Sequence, residues 1–597
     1  MPAAIRKRIR SPYTAILLLF LLAAGIFSAF LFHHSFSENA RFETLTEQIF
    51  AEEASASTLT LHYSLADPEK AGISRTASGL GTVSADTSEM ADRCRKYEAA
   101  LKNISYKKLS RENRITLDML LLYFHTESAL EGLALLEEPL GPSLGIQAQL
   151  PVLLAEYAFY EDRDIADYLT LLTSIRSYFQ SILEFERQKS QAGLFMSDTT
   201  LDRILEQCGA FIKNPDSNYM LEIFQEKLKS CGNLSEHTQK ELISVHKKIF
   251  LQEVLPAYQE LMAGLEQFRG TGKSSRGLAS YENGKQYYLY LLQSQTGCYD
   301  SVPEIEKRLL RQFLKDTQEA GDLLSQMPEL LSMMSDDSIF VNLSPENTLQ
   351  VLQKLIGNDF PELSETDYEI RYVHESMEEF LSPAFYLTPP LDKGTPNVIY
   401  LNRAGHSSSL EQFTTLAHEG YPGHLYQTVF FGSKKPQNIR NLISCGGYVE
   451  GWATYIEEFA YAYAAKLSDS PYAARTSRLL WLNRSISLCI YSLLDLGIHY
   501  RGWDQAQAAA FLKAFGITGE QTAAEIYQYI VETPANYLKY YVGYVNFLDL
   551  RTQAESLAEE PFSLKEFHRA VLEIGPVPFP VLEKYIFQST AGKTAAS

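Results

Sequence analysis

The stretch LAHEGYPGHLYQ, Leu416 to Gln427, sets a histidine directly before a glutamate and places a second histidine six residues after the first. Catalytic zinc takes three protein ligands and leaves a position for water, and histidine nitrogen and carboxylate oxygen both suit it. A glutamate beside the first ligand can accept a proton from the activated water. In the common H-E-x-x-H pattern the histidines are four apart, so one helical face carries both. His418 and His424 would instead lie about 120° off a common face of a regular helix. Between them stand Pro422 and Gly423. Proline lacks the N–H that would bond the carbonyl of His418, and its ring clashes with the preceding turn. The sequence therefore predicts a bulge that absorbs two residues and returns His424 to the side of His418. Taken alone, the stretch fits a zinc site or two surface histidines near a kink.

A third ligand has to come from another element. GGYVEGWATYIEEFAYAYAAKL, Gly446 to Leu467, reads as a helix after its glycines and carries Glu450, twenty-six residues past His424. Glu457 is seven residues further on, near the same face but about 10 Å along the axis. Only one of the two carboxylates can bind a single ion directly. Glu450 is the expected ligand, with Glu457 hydrogen-bonding a ligand from behind. The alternative is a pair of solvated helix glutamates, although Trp452, Tyr455 and Phe459 mark this helix as largely buried.

The elements that would position these groups are mostly helices. YLTLLTSIRSYFQSILEFERQ from Tyr168 and ELISVHKKIFLQEVLPAYQELMAGLEQF from Glu241 repeat apolar residues at three- and four-residue spacing. DPEKAGIS, EEPLGPS and RGTGKSSRG carry turn chemistry and read as connectors. One region departs from this pattern. SPAFYLTPPLDKGTPNVIYLNR, Ser382 to Arg403, contains two β-prone runs around a Pro/Gly-rich turn, which predicts a short hairpin before the His-Glu helix. Its edge could receive an extended peptide by strand addition, or the hairpin could simply cap the core.

Four motifs in order, HEGYPGH, YVEGWATYIEE, LLDLGIHYRGW and ETPANYLKYYVGYVNFLDLR, resemble the DUF885 family of bacterial proteins. LHYSLADPEKAGI near Leu61 and SPAFYLTPPLD near Ser382 are also similar to it, so the likeness extends over roughly residues 42–580. The resemblance implies a mainly α, gluzincin-like metallopeptidase fold with a deep cleft and a small sheet next to the active-site helix. It implies His418 and His424 as histidine ligands of one zinc ion, Glu419 as the base and Glu450 as the carboxylate ligand. Asp495 and His499 match D-x-G-x-H, and at four-residue spacing the aspartate could orient the imidazole. His499 would then serve either as an oxyanion donor or as a core histidine. Tyr540 matches the family's final tyrosine, for which related folds imply stabilisation of the same oxyanion. The chain departs from the family at Leu425 and Tyr541, where a histidine and a lysine are frequent.

Bulk properties narrow the function further. The chain has 597 residues, 45% hydrophobic, with a formal net charge of -20, which argues against nucleic acid as a partner. Arg6, Lys7, Arg8 and Arg10 precede an uncharged run from Thr14 to Phe32, whose nineteen residues would span roughly 28 Å as a helix. This predicts a single-pass anchor with its basic end in the cytoplasm, the alternative being a cleaved secretion signal. The expected layout is a stub and anchor over 1–40, one helical catalytic domain over 41–585, and a flexible tail over 586–597. The six cysteines form no C-x-x-C pair, and most should be buried thiols, although Cys208 and Cys231 could pair in an oxidising compartment. The expected function is a zinc-dependent hydrolase cutting short peptides outside the cytoplasmic membrane. Alternatives are a metal-dependent amidohydrolase on a non-peptide or cell-wall amide, and a catalytically silent peptide-binding surface protein.

Overall fold

The structure is a computed structural model that describes residues 37–594, apart from 76–78, 232–233, 365, 376–377, 379–380, 406–407 and 559–560. The expected N-terminal anchor lies outside the described residues. Helices dominate, and their apolar faces meet in one large core drawn from residues 42–133 and 278–586. A second core is built by residues 140–265, where the long helix Asp162–Ala192 packs on Leu255–Glu266. The periodic run from Glu241 is not one continuous helix. It is helical to Ile249, widens into a π turn at Phe250–Val254, and resumes at Leu255, where Pro256 has no N–H to continue a regular ladder.

The site region is framed by a sheet and five helices. The sheet comprises β1 (Tyr368–Tyr372), β2 (Ala384–Leu387) and β3 (Asn397–Leu401), in the order β1-β3-β2. The expected hairpin is present as antiparallel β2 and β3, with Tyr386 opposite Ile399. A third strand, β1, adds parallel to β3 and was not expected, although YEIRY alternates apolar and charged residues over its five positions. With neighbours on both sides, every residue of β3 is buried, while β2 forms an edge.

The helices are α1 (Ser409–Glu419), α2 (His424–Ser433), α3 (Gly446–Lys466), α4 (Ala473–Leu496) and α5 (Asn536–Leu557). Helix α3 includes the two glycines expected to precede it, because they face a neighbour. A Cβ at Gly543 of α5 would lie 2.2 Å from the Gly447 carbonyl oxygen and 2.6 Å from the Gly451 Cα. Two helix backbones therefore touch, and the helices bearing Glu450 and Tyr540 are fixed against each other. The segment Ala473–Arg501 is, among the described residues, the one helix long and apolar enough to cross a membrane, but 67% of its apolar window is buried, as in a core helix. The final helix, Phe579–Thr594, occupies much of the expected tail, and Tyr585 and Ile586 are buried in the core. All six cysteines are free and five are buried, so Cys208 and Cys231 do not pair.

Replacing Gly543 with alanine should lower stability by about 1–3 kcal/mol through overpacking, measured as a lower midpoint in urea. An unchanged midpoint would show that the two helices separate without strain.

Candidate functional site

Helix α1 does not bulge after His418; it ends. Gly420 leaves the helical region at φ -107°, ψ -98°, the Tyr421–Pro422 peptide is cis, and α2 starts at His424. The prediction of a single widened helix is corrected to two helices across a tight break. Two hydrogen bonds span six residues instead of four: Gly423 N–H donates to the Ala417 carbonyl at 3.0 Å, and Tyr426 N–H to Gly420 at 3.1 Å. The two extra residues are taken up there. A Cβ on Gly423 would sit 1.8 Å from the His418 carbonyl oxygen, so no larger residue fits this conformation. Trp452 of α3, fully buried, donates its indole N–H to the Pro422 carbonyl at 2.9 Å and so ties the break to the helix carrying Glu450.

Across this break the imidazoles of His418 and His424 lie 4.8 Å apart at 88°. Their Nε2 atoms are 3.7 and 3.6 Å from the same oxygen, Oε2 of Glu450. Ligands about 2.0–2.1 Å from a tetrahedral ion are separated by roughly 3.4 Å, so this spacing suits three donors of one zinc. Ligand atoms of His418, Glu419 and His424 also fall within 4.8 Å of one another. Of the two carboxylates, Glu450 is the one equidistant from both Nε2 atoms, whereas Glu419 is drawn aside. Its Oε2 accepts from the Tyr386 backbone N–H of β2 at 2.9 Å, which suits a proton acceptor better than a ligand.

Glu457 stands behind His418, with Oε1 2.9 Å from Nδ1. A carboxylate can only accept, so Nδ1 carries a hydrogen toward Glu457 and Nε2 is the nitrogen turned to Glu450. Such a carboxylate–histidine pair orients a metal ligand and raises its basicity. The other Glu457 oxygen accepts from Nε of Arg484 on α4 at 3.2 Å. Burial opposes charge on His418, but the carboxylates of Glu450 and Glu457, with Glu419 nearby, lift its pKa to about 10. Burial likewise opposes the charge on Glu450 and Glu457. The two histidines beside Glu450, and Arg484 with His418 beside Glu457, nevertheless hold both below the usual carboxylate range.

A cleft of about 830 Å³ opens over this group, lined among others by His418, Glu419, Glu457, Arg484, Tyr537 and Tyr540. Burial pushes the Tyr540 hydroxyl well above its ordinary pKa, and the Glu450 and Glu419 charges push it further, so it stays protonated. His499 is elsewhere. It is 1% exposed, its Nδ1 accepts from Leu278 N–H at 3.2 Å, and its Nε2 donates to the Ile530 carbonyl at 2.8 Å. Both ring nitrogens thus serve backbone, which corrects the expected oxyanion role. Asp495 does not orient His499 either. It accepts from Tyr288 and from Ala535 N–H at 3.0 Å. Ala535 sits at φ 64° immediately before α5, so Asp495 fixes how the Tyr540 helix begins. The four-residue spacing misled because residues 497–501 widen into a π turn. Arg484 was missed altogether: an arginine inside an apolar helix carries no motif.

Fold and site together define a mainly helical protein with two histidines and three carboxylates gathered beneath a deep cleft. The chain belongs to the family described as "Bacterial protein of unknown function (DUF885)", whose profile matches residues 68–586. Among curated proteins none matches it. Two solved structures share the fold. One is described as "the putative lipoprotein from Colwellia psychrerythraea", 17% identical, covering 93% of this chain and 100% of that one, with a TM-score of 0.78. The other is "a putative lipoprotein of unknown function from Shewanella oneidensis", 16% identical, covering 92% of this chain and 99% of that one, with a TM-score of 0.62.

In metal-free protein His418 is protonated at neutral pH. Its folded pKa lies above 6.5, so the stability it contributes is complete below about pH 6.5 and is lost as pH rises through about 10. A zinc ion bound through Nε2 of His418 would have to displace that proton. Calorimetric titration near neutral pH, in buffers of different ionisation heat, should therefore show about one proton released per zinc, falling away above about pH 10. Uptake without proton release would mean the imidazole is neutral before binding.

Proposed function

We propose that this protein is a zinc-dependent peptidase acting on short peptides outside the cytoplasmic membrane. The observation that carries the reading is the approach of both histidine Nε2 atoms to one Glu450 oxygen, with Glu419 alongside, under the cleft. His418, His424 and Glu450 would hold the ion, which when bound supplies Lewis acidity toward a carbonyl and toward water. Glu419 accepts the proton of the attacking water and delivers it to the departing amine. Its hydrogen bond from Tyr386 N–H holds the carboxylate on the sheet side of the cleft while leaving the second oxygen free for that exchange. The protonated Tyr540 hydroxyl donates to the oxygen that becomes negative as the carbonyl is attacked. Glu457 keeps the His418 ring in its working tautomer.

A cleft of this size admits several residues of peptide, and the β2 edge offers main-chain groups along which one can extend. The location outside the membrane rests on the basic cluster followed by the apolar run from Thr14 to Phe32. The description of two proteins of this fold as lipoproteins accords with it.

Mass spectrometry of a short-peptide mixture incubated with the zinc-loaded protein should reveal cleaved peptides. Glu419→Gln should retain its zinc and lose about 10²–10⁴-fold in kcat. Full activity in that variant would sink the mechanism. Tyr540→Phe should lower kcat by about 10²–10³-fold at unchanged zinc content, as removal of an oxyanion donor does; a change confined to KM would assign the hydroxyl to substrate binding.

A further inference from the structure

Arg484 stands out on the cleft wall. The charged residues lining the cleft include Asp336, Asp337, Glu411, Glu419 and Glu457, and among the described lining residues Arg484 is the only permanent cation. In a chain of net charge -20 such a cleft repels anionic substrates unless a cation is provided for them. The way Arg484 is bound shows that its charge is not used up by the protein. Six residues earlier on the same helix, Arg478 grips Glu319 with Nε and Nη2 at 2.6 and 2.7 Å and gives Nη1 to Glu458 at 2.6 Å. That is the geometry of a guanidinium serving structure. Among the described residues, Arg484 makes a single bond, Nε to Glu457 at 3.2 Å, and 45% of its side chain is exposed. Its Nη fork is left for a planar, bidentate acceptor.

The position is informative as well. Glu457 bridges Arg484 and His418, so the fork lies two side-chain contacts from the candidate metal ligands. Its charge is also felt at the Tyr540 hydroxyl. The path runs 3.2 Å from Nε to Glu457 and 2.9 Å from its other oxygen to His418, so at about 3.5 Å per extended residue a carboxylate held there is within a few residues of the bond being cut.

We infer that Arg484 is the receptor for a carboxylate of the peptide substrate, so that the enzyme selects peptides with a negative charge within a few residues of the scissile bond. That carboxylate belongs either to the free carboxyl terminus or to an acidic side chain. The inference rests on the peptidase reading and adds a substrate class to it.

The test uses zinc-loaded Glu419→Gln protein and three versions of one short peptide: a free acid containing glutamate, its carboxyl-terminal amide, and the free acid with glutamine for glutamate. Calorimetric affinity should fall roughly tenfold to a hundredfold on neutralising the recognised carboxylate, and whichever swap has this effect identifies the source. Adding Arg484→Gln, checked for matched zinc content, should abolish the difference, while Arg484→Lys should restore part of it. Equal affinity for all three peptides with Arg484 present overturns the inference. So does a difference that persists in Arg484→Gln. Uniform weakening of all three by Arg484→Gln with the ratios kept would show a role exerted only through Glu457, and also overturns it. Wild-type turnover of the same peptides separates the two readings. Cleavage without charge preference defeats this inference alone, whereas charge-selective binding without cleavage defeats the peptidase reading alone.

Discussion

Everything at the site depends on how the backbone passes from His418 to His424. A regular helix would send the two imidazoles in different directions, and a loose loop would not hold them at all. Instead two six-residue hydrogen bonds close the gap between α1 and α2, and Gly423 permits an approach that any Cβ would block. The Trp452 indole then fixes the carbonyl of Pro422. The same tryptophan lies two residues from Glu450, so one contact sets both the histidine pair and the position of the carboxylate facing it.

The second constraint is electrostatic. Glu419, Glu450 and Glu457 surround two imidazoles in a partly buried space, and isolated carboxylates there would be driven to protonate. Nδ1–H of His418 and the Arg484 guanidinium both serve Glu457, and the Tyr386 N–H serves Glu419. Each comes from a different element: α1, β2 and α4. These partners reach the cluster only when the helices and the sheet are assembled around it. A bound divalent cation would offset the remaining negative charge, since the Glu450 oxygen otherwise faces the two Nε2 atoms at 3.7 and 3.6 Å.

Much of this was legible beforehand. HEGYPGH indicated that its two histidines could meet across a break, because Pro422 and Gly423 are incompatible with a regular turn, and YVEGWATYIEE offered Glu450 as the expected partner with Glu457 behind it. The ordered motifs identified the family, and apolar periodicity identified the helices. The β2–β3 hairpin was visible through its Pro/Gly turn, whereas β1 joins from outside that unit and its pairing is non-local. The D-x-G-x-H motif was read one level too near the chemistry. Asp495 and His499 hold backbone, and they matter to the site only through the start of α5.

The sequence by itself determined the donor types, their order and the need for a break between the histidines, since these follow from side-chain chemistry and from what proline and glycine permit locally. Only the tertiary structure decided that the break is two helices and not a bulge, that Glu450 and not Glu419 or Glu457 is shared by both Nε2 atoms, and that Arg484 enters the cleft. Those outcomes depend on which helix faces pack together, and on the glycine contact between α3 and α5. Such contacts join residues nearly a hundred positions apart, and no local pattern encodes them.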